Sequence, residues 1–211
     1  MSAKRLGVVG MVGAGWFIVA ILILNVIDTE YSRVNDFMSD YANGEYGWLM
    51  QSAFLGAGIG AIATALGLRK SLEPGKRVAT SILLLLVAGI GYLLAIAKTD
   101  PTGATEFTTG GILHVVGSLL IFFSLLVAVW LLWGVFKRDP SWSHLARTQM
   151  WFATAYTVTM VVSFGTPMGG PVGLTQRIFV PVMMAWWIVL AWNIQQLDSN
   201  SQATEHQAAN A

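Results

Sequence analysis

KTDPTGATEFTTGGILHVVGS, residues 98–118, is the stretch on which the reading of the chain turns. An apolar run ends there, the chain passes through charged and hydroxyl residues, and a second apolar run begins that carries His114. If that second run turns helical near Gly110, the imidazole lies about one turn inside it, roughly 6 Å below the entry point at 1.5 Å rise per residue. Two hydrophobic runs of about 20 residues joined this way mark a chain that leaves and re-enters a bilayer whose apolar core is about 30 Å thick.

Outward from this turn the pattern repeats. Apolar runs at 6–27, 48–68, 78–97, 110–136, 148–164 and 176–193 predict six transmembrane helices. The fold class expected is therefore all-α: a polytopic integral membrane protein whose single domain, residues 1–195, is a six-helix bundle. The first run resembles a signal peptide but is too long and has no small-x-small cleavage site before Asp28. The polar tail, 196–211, has no periodicity and is expected to be disordered. Of the 211 residues, 55% are hydrophobic and only 11% charged, well below the roughly one-quarter charged residues of soluble domains. Cysteine is absent, which excludes disulfides, thiolate nucleophiles and cysteine metal sites. A net charge of +1 gives no reason to expect nucleic acid as a partner.

Basic residues set the orientation, because lysine and arginine are retained on the cytoplasmic side. The N-terminus and the second and fourth loops hold Lys4, Arg5, Arg69, Lys70, Lys76, Arg77, Lys137, Arg138 and Arg147, nine of the twelve. Arg33, Lys98 and Arg177 are the other three. Both termini are thus expected in the cytoplasm of a plasma-membrane protein, with the first, third and fifth loops outside. In the first loop (28–47), Val34, Phe37, Met38 and Tyr41 recur at helical spacing, which predicts a short amphipathic helix lying at the interface. Residues 165–174, GTPMGGPVGL, read as a break in helix, with Thr175 as candidate N-cap of the last span. In the second span Ser52, Gly56, Gly60 and Thr64 recur every four residues and form a groove into which another helix should pack.

On this topology Asp28, Glu30, Asp36, Asp40, Glu45, Lys98, Asp100, Glu106, His114 and Arg177 gather at the outer face. The mid-sections of the spans hold no Asp, Glu, Lys, Arg or His, which disfavours ion-coupled transport. His114 shares a helical face with Gly111, Gly117 and Ser118, so it faces the bundle either as a general base oriented by Asp100 or Asp40 or as a histidine tying helix to loop. Asp100, before Pro101, is either its acid/base partner or a turn-former. Arg177 reads as an anion clamp or as one half of a salt bridge to an outer-loop acid. Ser39, Asp40 and Lys98 complete the substrate-binding candidates. Ser39 and Asp40 do not make a triad by themselves, since adjacent helical residues face apart. His144 and His206 lie at the other face, so no zinc set forms with His114, and no cofactor or metal is expected. The familiar phosphate-loop, HExxH and GxSxG motifs are missing.

MSDYANGEYGWLM (38–50), the third span running into TDP (99–101), GGILH (110–114) and TQRI (175–178) occur in an order and spacing that resembles the six-span bacterial and archaeal membrane proteins grouped as domain of unknown function 998. The resemblance covers about 10–195 and implies the fold and topology but no reaction. It singles out Ser39, Asp40, Asp100, His114 and Arg177. Ala97 and Lys98 stand where that family often places Phe-Pro.

Two functions follow as expectations. One is an outer-leaflet polar pocket that binds or processes a lipid or small amphiphile, with membrane lipids as partners; whether it catalyses a reaction is open. The other is a non-catalytic subunit or scaffold that docks a partner helix, or a second copy, through small-residue grooves. Asp100, His114 and Arg177 within hydrogen-bond or single-water reach of one another would favour the first; scattered positions favour the second.

Overall fold

A computed structural model describes residues 1–102 and 104–209, with side chains described through Gln196; the expectation for the tail lies outside the described side chains. Six long helices are present: α1 (Ala3–Ile27), α2 (Gly47–Ser71), α3 (Lys76–Leu94), α4 (Thr109–Phe136), α5 (Ala146–Gly165) and α6 (Val172–Ala209). No strand occurs among the described residues. Each boundary has a local cause. The Ser2 side chain caps α1 by accepting from the Arg5 N–H at 3.3 Å, and Thr108 caps α4 by accepting from Gly111 N–H at 3.0 Å. Arg69 and Lys70 lie in the last turn of α2, where cations complement the helix dipole, and Pro74-Gly75 then turns the chain into α3.

Consecutive helices pack against one another, α6 closes against α1, and α2 also touches α6 across the bundle. The closest seams are built from glycine. A Cβ on Gly13 would stand 3.0 Å from the Cα of Gly60 and nearer still to the Gly56 carbonyl, so α1 sits backbone-to-backbone in the small-residue groove of α2. The expected groove is therefore filled, by a helix of the same chain. Trp16 Nε1 donates to Ser52 Oγ across that seam at 3.1 Å, and Trp187 Nε1 reaches Thr64 Oγ1 from α6 at 2.8 Å. Inside the ring lie Phe17, Phe54, Tyr92, Tyr156, Met183 and Trp187, all buried.

Five helices are long and apolar enough to cross a membrane: Ala3–Ile27, Gly47–Ser71, Lys76–Leu94, Thr109–Phe136 and Val172–Gln196. α5 is not among them, because Thr154, Thr157, Thr159 and Ser163 dilute its apolar residues. Two readings of the connections change. The first loop holds a buried 3-10 turn, Met38–Asn43, and not an amphipathic helix at the interface; Asp40 on it is bonded to protein groups. The last helix begins at Val172, directly after Pro171, so Thr175 is inside it and its hydroxyl bonds back to the Val172 carbonyl at 3.0 Å. Proline's fixed φ suits a helix start, and this outweighs the glycines around it.

Candidate functional site

Loops one and three and the start of α6 are stitched together at one end of the bundle. Arg177 is the centre of the first knot. Its Nε–H donates to Asn25 Oδ1 at 3.2 Å, Nη1 to the carbonyls of Asp36 at 3.0 Å and Gly173 at 3.1 Å, and Nη2 to the Tyr41 hydroxyl at 3.1 Å. Tyr41 in turn donates to Asn25 Oδ1 at 2.9 Å, and the guanidinium lies 5.5 Å from the Tyr41 ring centroid. All four acceptors are neutral oxygens, so the expected salt bridge is replaced by a fixed cation held by uncharged groups. Next to it, Gln176 Oε1 accepts from the Met38 N–H at 2.7 Å and the Val34 carbonyl accepts from Leu174 N–H at 3.1 Å. These bonds press the loop onto α6.

Asp40 forms the second knot. Its Oδ2 accepts from the Thr102 hydroxyl and, at 3.2 Å, from the Phe37 N–H, which joins loop one to loop three. Asp40 is 1% exposed, and its Oδ1 has no partner among the described residues. Burial pushes the Asp40 carboxyl above its ordinary range, and the Thr102 hydrogen bond only partly offsets this. Asp28, at the end of α1, likewise keeps one buried oxygen without a partner among the described residues.

Asp100 and His114 make a third set, yet they do not meet. Asp100 accepts from the Thr108 N–H at 3.1 Å and its hydroxyl at 2.7 Å, which puts the carboxylate over the N-terminus of α4, where the dipole favours it. His114 Nδ1 lies 2.8 Å from the Ala95 carbonyl and 3.0 Å from that of Ala97. Carbonyls only accept, so Nδ1 bears the proton and Nε2 keeps a lone pair. The unwound end of α3 is thus sewn to its neighbours, with Gln51 Nε2 taking the Ile96 carbonyl at 3.1 Å. Lys98 is exposed at the same corner. Asp100, His114 and Arg177 each hydrogen-bond to other residues and not to one another.

Two cavities adjoin these knots. A crevice of about 140 Å³ between α1 and α6 is walled by Ile18, Ile21, Leu22, Met184 and other apolar residues, with Asn25 and Arg177 among its lining. An inner chamber of about 30 Å³ is lined by Ser39, His114, Ser118 and Gln176 among aromatic and methionine side chains. Phe17, Met38 and Val180 border both. Among the described residues no group of three or more His, Cys, Asp or Glu is placed to hold a metal. Sequence reasoning missed Asn25, Tyr41, Thr102, Thr108 and Gln176 as site residues. The signal was present for Asn25, the one strongly polar residue in the first apolar run, since a lone amide in hydrocarbon needs a partner.

No curated protein and no solved structure matches the chain. A family model described as "Protein of unknown function (DUF998)" matches residues 11–193. All three knots and both cavities lie within that span, and the chain belongs to the DUF998 family.

Proposed function

We propose that this protein holds an anionic amphiphile of the phospholipid class in the α1–α6 crevice, acyl chain between the helices and headgroup at Arg177. The observation that carries this is the coincidence of an apolar crevice with a cation bonded only to neutral oxygens. A guanidinium has five N–H groups and the protein takes four hydrogen bonds from this one, which leaves a donor and a full positive charge for a phosphate or carboxylate. Pro181 supplies no N–H to the Arg177 carbonyl one turn earlier, which adds a polar atom to the same wall.

Separation of Asp100 and His114 from Arg177, the outcome named above as favouring a scaffold, removes the single three-residue site, and the binding reading rests on Arg177 and the crevice alone. The scaffold alternative relied on free small-residue grooves, and the groove of α2 is occupied by α1. The binding reading includes six spans, with both termini in the cytoplasm of the plasma membrane and Arg177 at the outer leaflet. Support comes from α5, whose Trp151, Val158, Val161 and Val162 project outward as a surface suited to lipid, and from the basic residues counted above.

The test is thermal unfolding in detergent, titrated with an anionic and with a zwitterionic phospholipid. A ligand that binds only the folded state stabilises it by about 2.7 kcal/mol at a hundred times its Kd. A saturable rise with the anionic lipid that Arg177→Gln abolishes is expected. Equal responses to the two lipids, or none, would refute the proposal.

A further inference from the structure

We propose that Ser39 and His114 form a nucleophile and base pair that cleaves a carboxylic ester of the amphiphile in the crevice; this rests on the binding reading above. Four observations converge on it. First, both residues are buried and line the same small chamber of about 30 Å³. Second, the proton on His114 is fixed at Nδ1 by the carbonyls of Ala95 and Ala97, and no described residue bonds Nε2. This is the tautomer a general base needs, with carbonyls orienting the ring where many hydrolases use a carboxylate.

Third, the hydroxyls of Ser39 and Ser118, both on this chamber, make no hydrogen bond to the described residues, unlike many hydroxyls of the helices. Ser52, Thr64, Ser71, Ser81, Ser124, Thr157 and Thr159 bond back to carbonyls of their own helices. Ser39 stands at the start of a 3-10 turn, where no preceding helical carbonyl exists, and its hydroxyl makes no hydrogen bond to the described residues. A hydroxyl and an imidazole nitrogen without a protein partner on one chamber give a ligand or a water two polar contacts. Fourth, the chamber abuts the crevice through Phe17, Met38 and Val180, and methionine is a wall that rotates at low cost. Gln176, whose Oε1 accepts from Met38 N–H, lines the same chamber and has an amide N–H group of the kind that can donate to an oxyanion.

The step balances without a cofactor. Ser39 Oγ adds to the ester carbonyl carbon while its proton passes to His114 Nε2. The tetrahedral adduct expels the alcohol, which takes that proton. Water, deprotonated by the same nitrogen, then cleaves the acyl-Ser39 ester, releasing a carboxylic acid and restoring the serine.

An alkyl fluorophosphonate applied to the full-length protein in membranes, with the adduct located by peptide mass spectrometry, tests this. Stoichiometric phosphonylation at Ser39 is expected, slowed at least 100-fold by His114→Gln and unaffected by Ser52→Ala. An unmodified Ser39 in folded wild-type protein overturns the inference, and needs no variant to fold. If His114→Gln folds, as its melting curve will show, and labels at the wild-type rate, the base role is overturned. Stabilisation by anionic lipid together with an inert Ser39 removes this pair and leaves the binding reading standing. A labelled Ser39 without lipid stabilisation supports the pair and removes the crevice.

Discussion

Gly117→Ala places one methyl group in the seam that positions His114. Its Cβ would stand 2.5 Å from the Gly91 carbonyl, 2.9 Å from the Ala95 N and 3.0 Å from the Leu94 Cβ, against 3.4 Å for ordinary contact. The nearest two neighbours are backbone, so α3 and α4 must part by about 0.9 Å, the difference between 3.4 and 2.5. A shift of that size stretches the 2.8 Å contact from His114 Nδ1 to Ala95 O to about 3.7 Å, past hydrogen-bond range. Overpacking of this kind costs about 1–3 kcal/mol. Gly15→Ala is the matched control, because it too lies inside a helix but a Cβ there meets nothing within 4 Å. The helix-propensity gain of about 1 kcal/mol is common to both substitutions and cancels. Unfolding in mixed micelles with increasing denaturing detergent should therefore show Gly117→Ala about 1–3 kcal/mol less stable than Gly15→Ala, with slower fluorophosphonate labelling of Ser39. Equal stability of the two variants would refute the reasoning, since the α3–α4 seam would then have room that these distances deny.

Other perturbations read other joints. Because burial raises the Asp40 carboxyl above its unfolded value, the wild type is most stable below the ordinary carboxylate pKa and loses stability as pH rises through the folded pKa. Asp40→Asn lacks that loss, so its melting temperature relative to wild type should climb as pH rises from the ordinary carboxylate range through the raised folded pKa; a difference independent of pH contradicts this. Arg177→Met should destabilise by about 3 kcal/mol in a detergent-unfolding titration, the upper range for one hydrogen bond to a charged group, because Asn25 and Tyr41 remain bonded to each other. A variant as stable as wild type would show that the loop is held by other means. Thr64→Val should weaken the tie to Trp187 and shift unfolding by about 1 kcal/mol; a neutral result would place the α2–α6 register elsewhere.

The helices were legible because physics punctuates them plainly: Lys137, Arg138 and Pro140 after α4, Pro74-Gly75 before α3. The start of α6 was not, since the glycines of 165–174 argue for loop while the helix in fact begins at Val172, directly after Pro171. The first loop misled for a related reason. Its apolar residues have helical spacing, but a period cannot tell a face turned to lipid from one buried against Asn25, Arg177 and Thr102. For the site, the sequence grouped Asp40, Asp100, His114 and Arg177 at one end, and the bonded path from Thr108 and Asp100 through loop three to Asp40, and on through Asp36 to Arg177, agrees with that grouping. Which of them touch was out of reach. Pairing there is decided by neutral groups and main-chain carbonyls, which carry no signature in a sequence.

The central claim is occupancy of the α1–α6 crevice, and intact mass measurement of the protein released from its own membranes in mild detergent tests it most directly. One anionic amphiphile per chain should be retained by the wild type and lost from both Arg177→Gln, which removes the charge, and Ile21→Trp, which fills the crevice. A bare wild-type mass, or retention unchanged in both variants, would contradict the account.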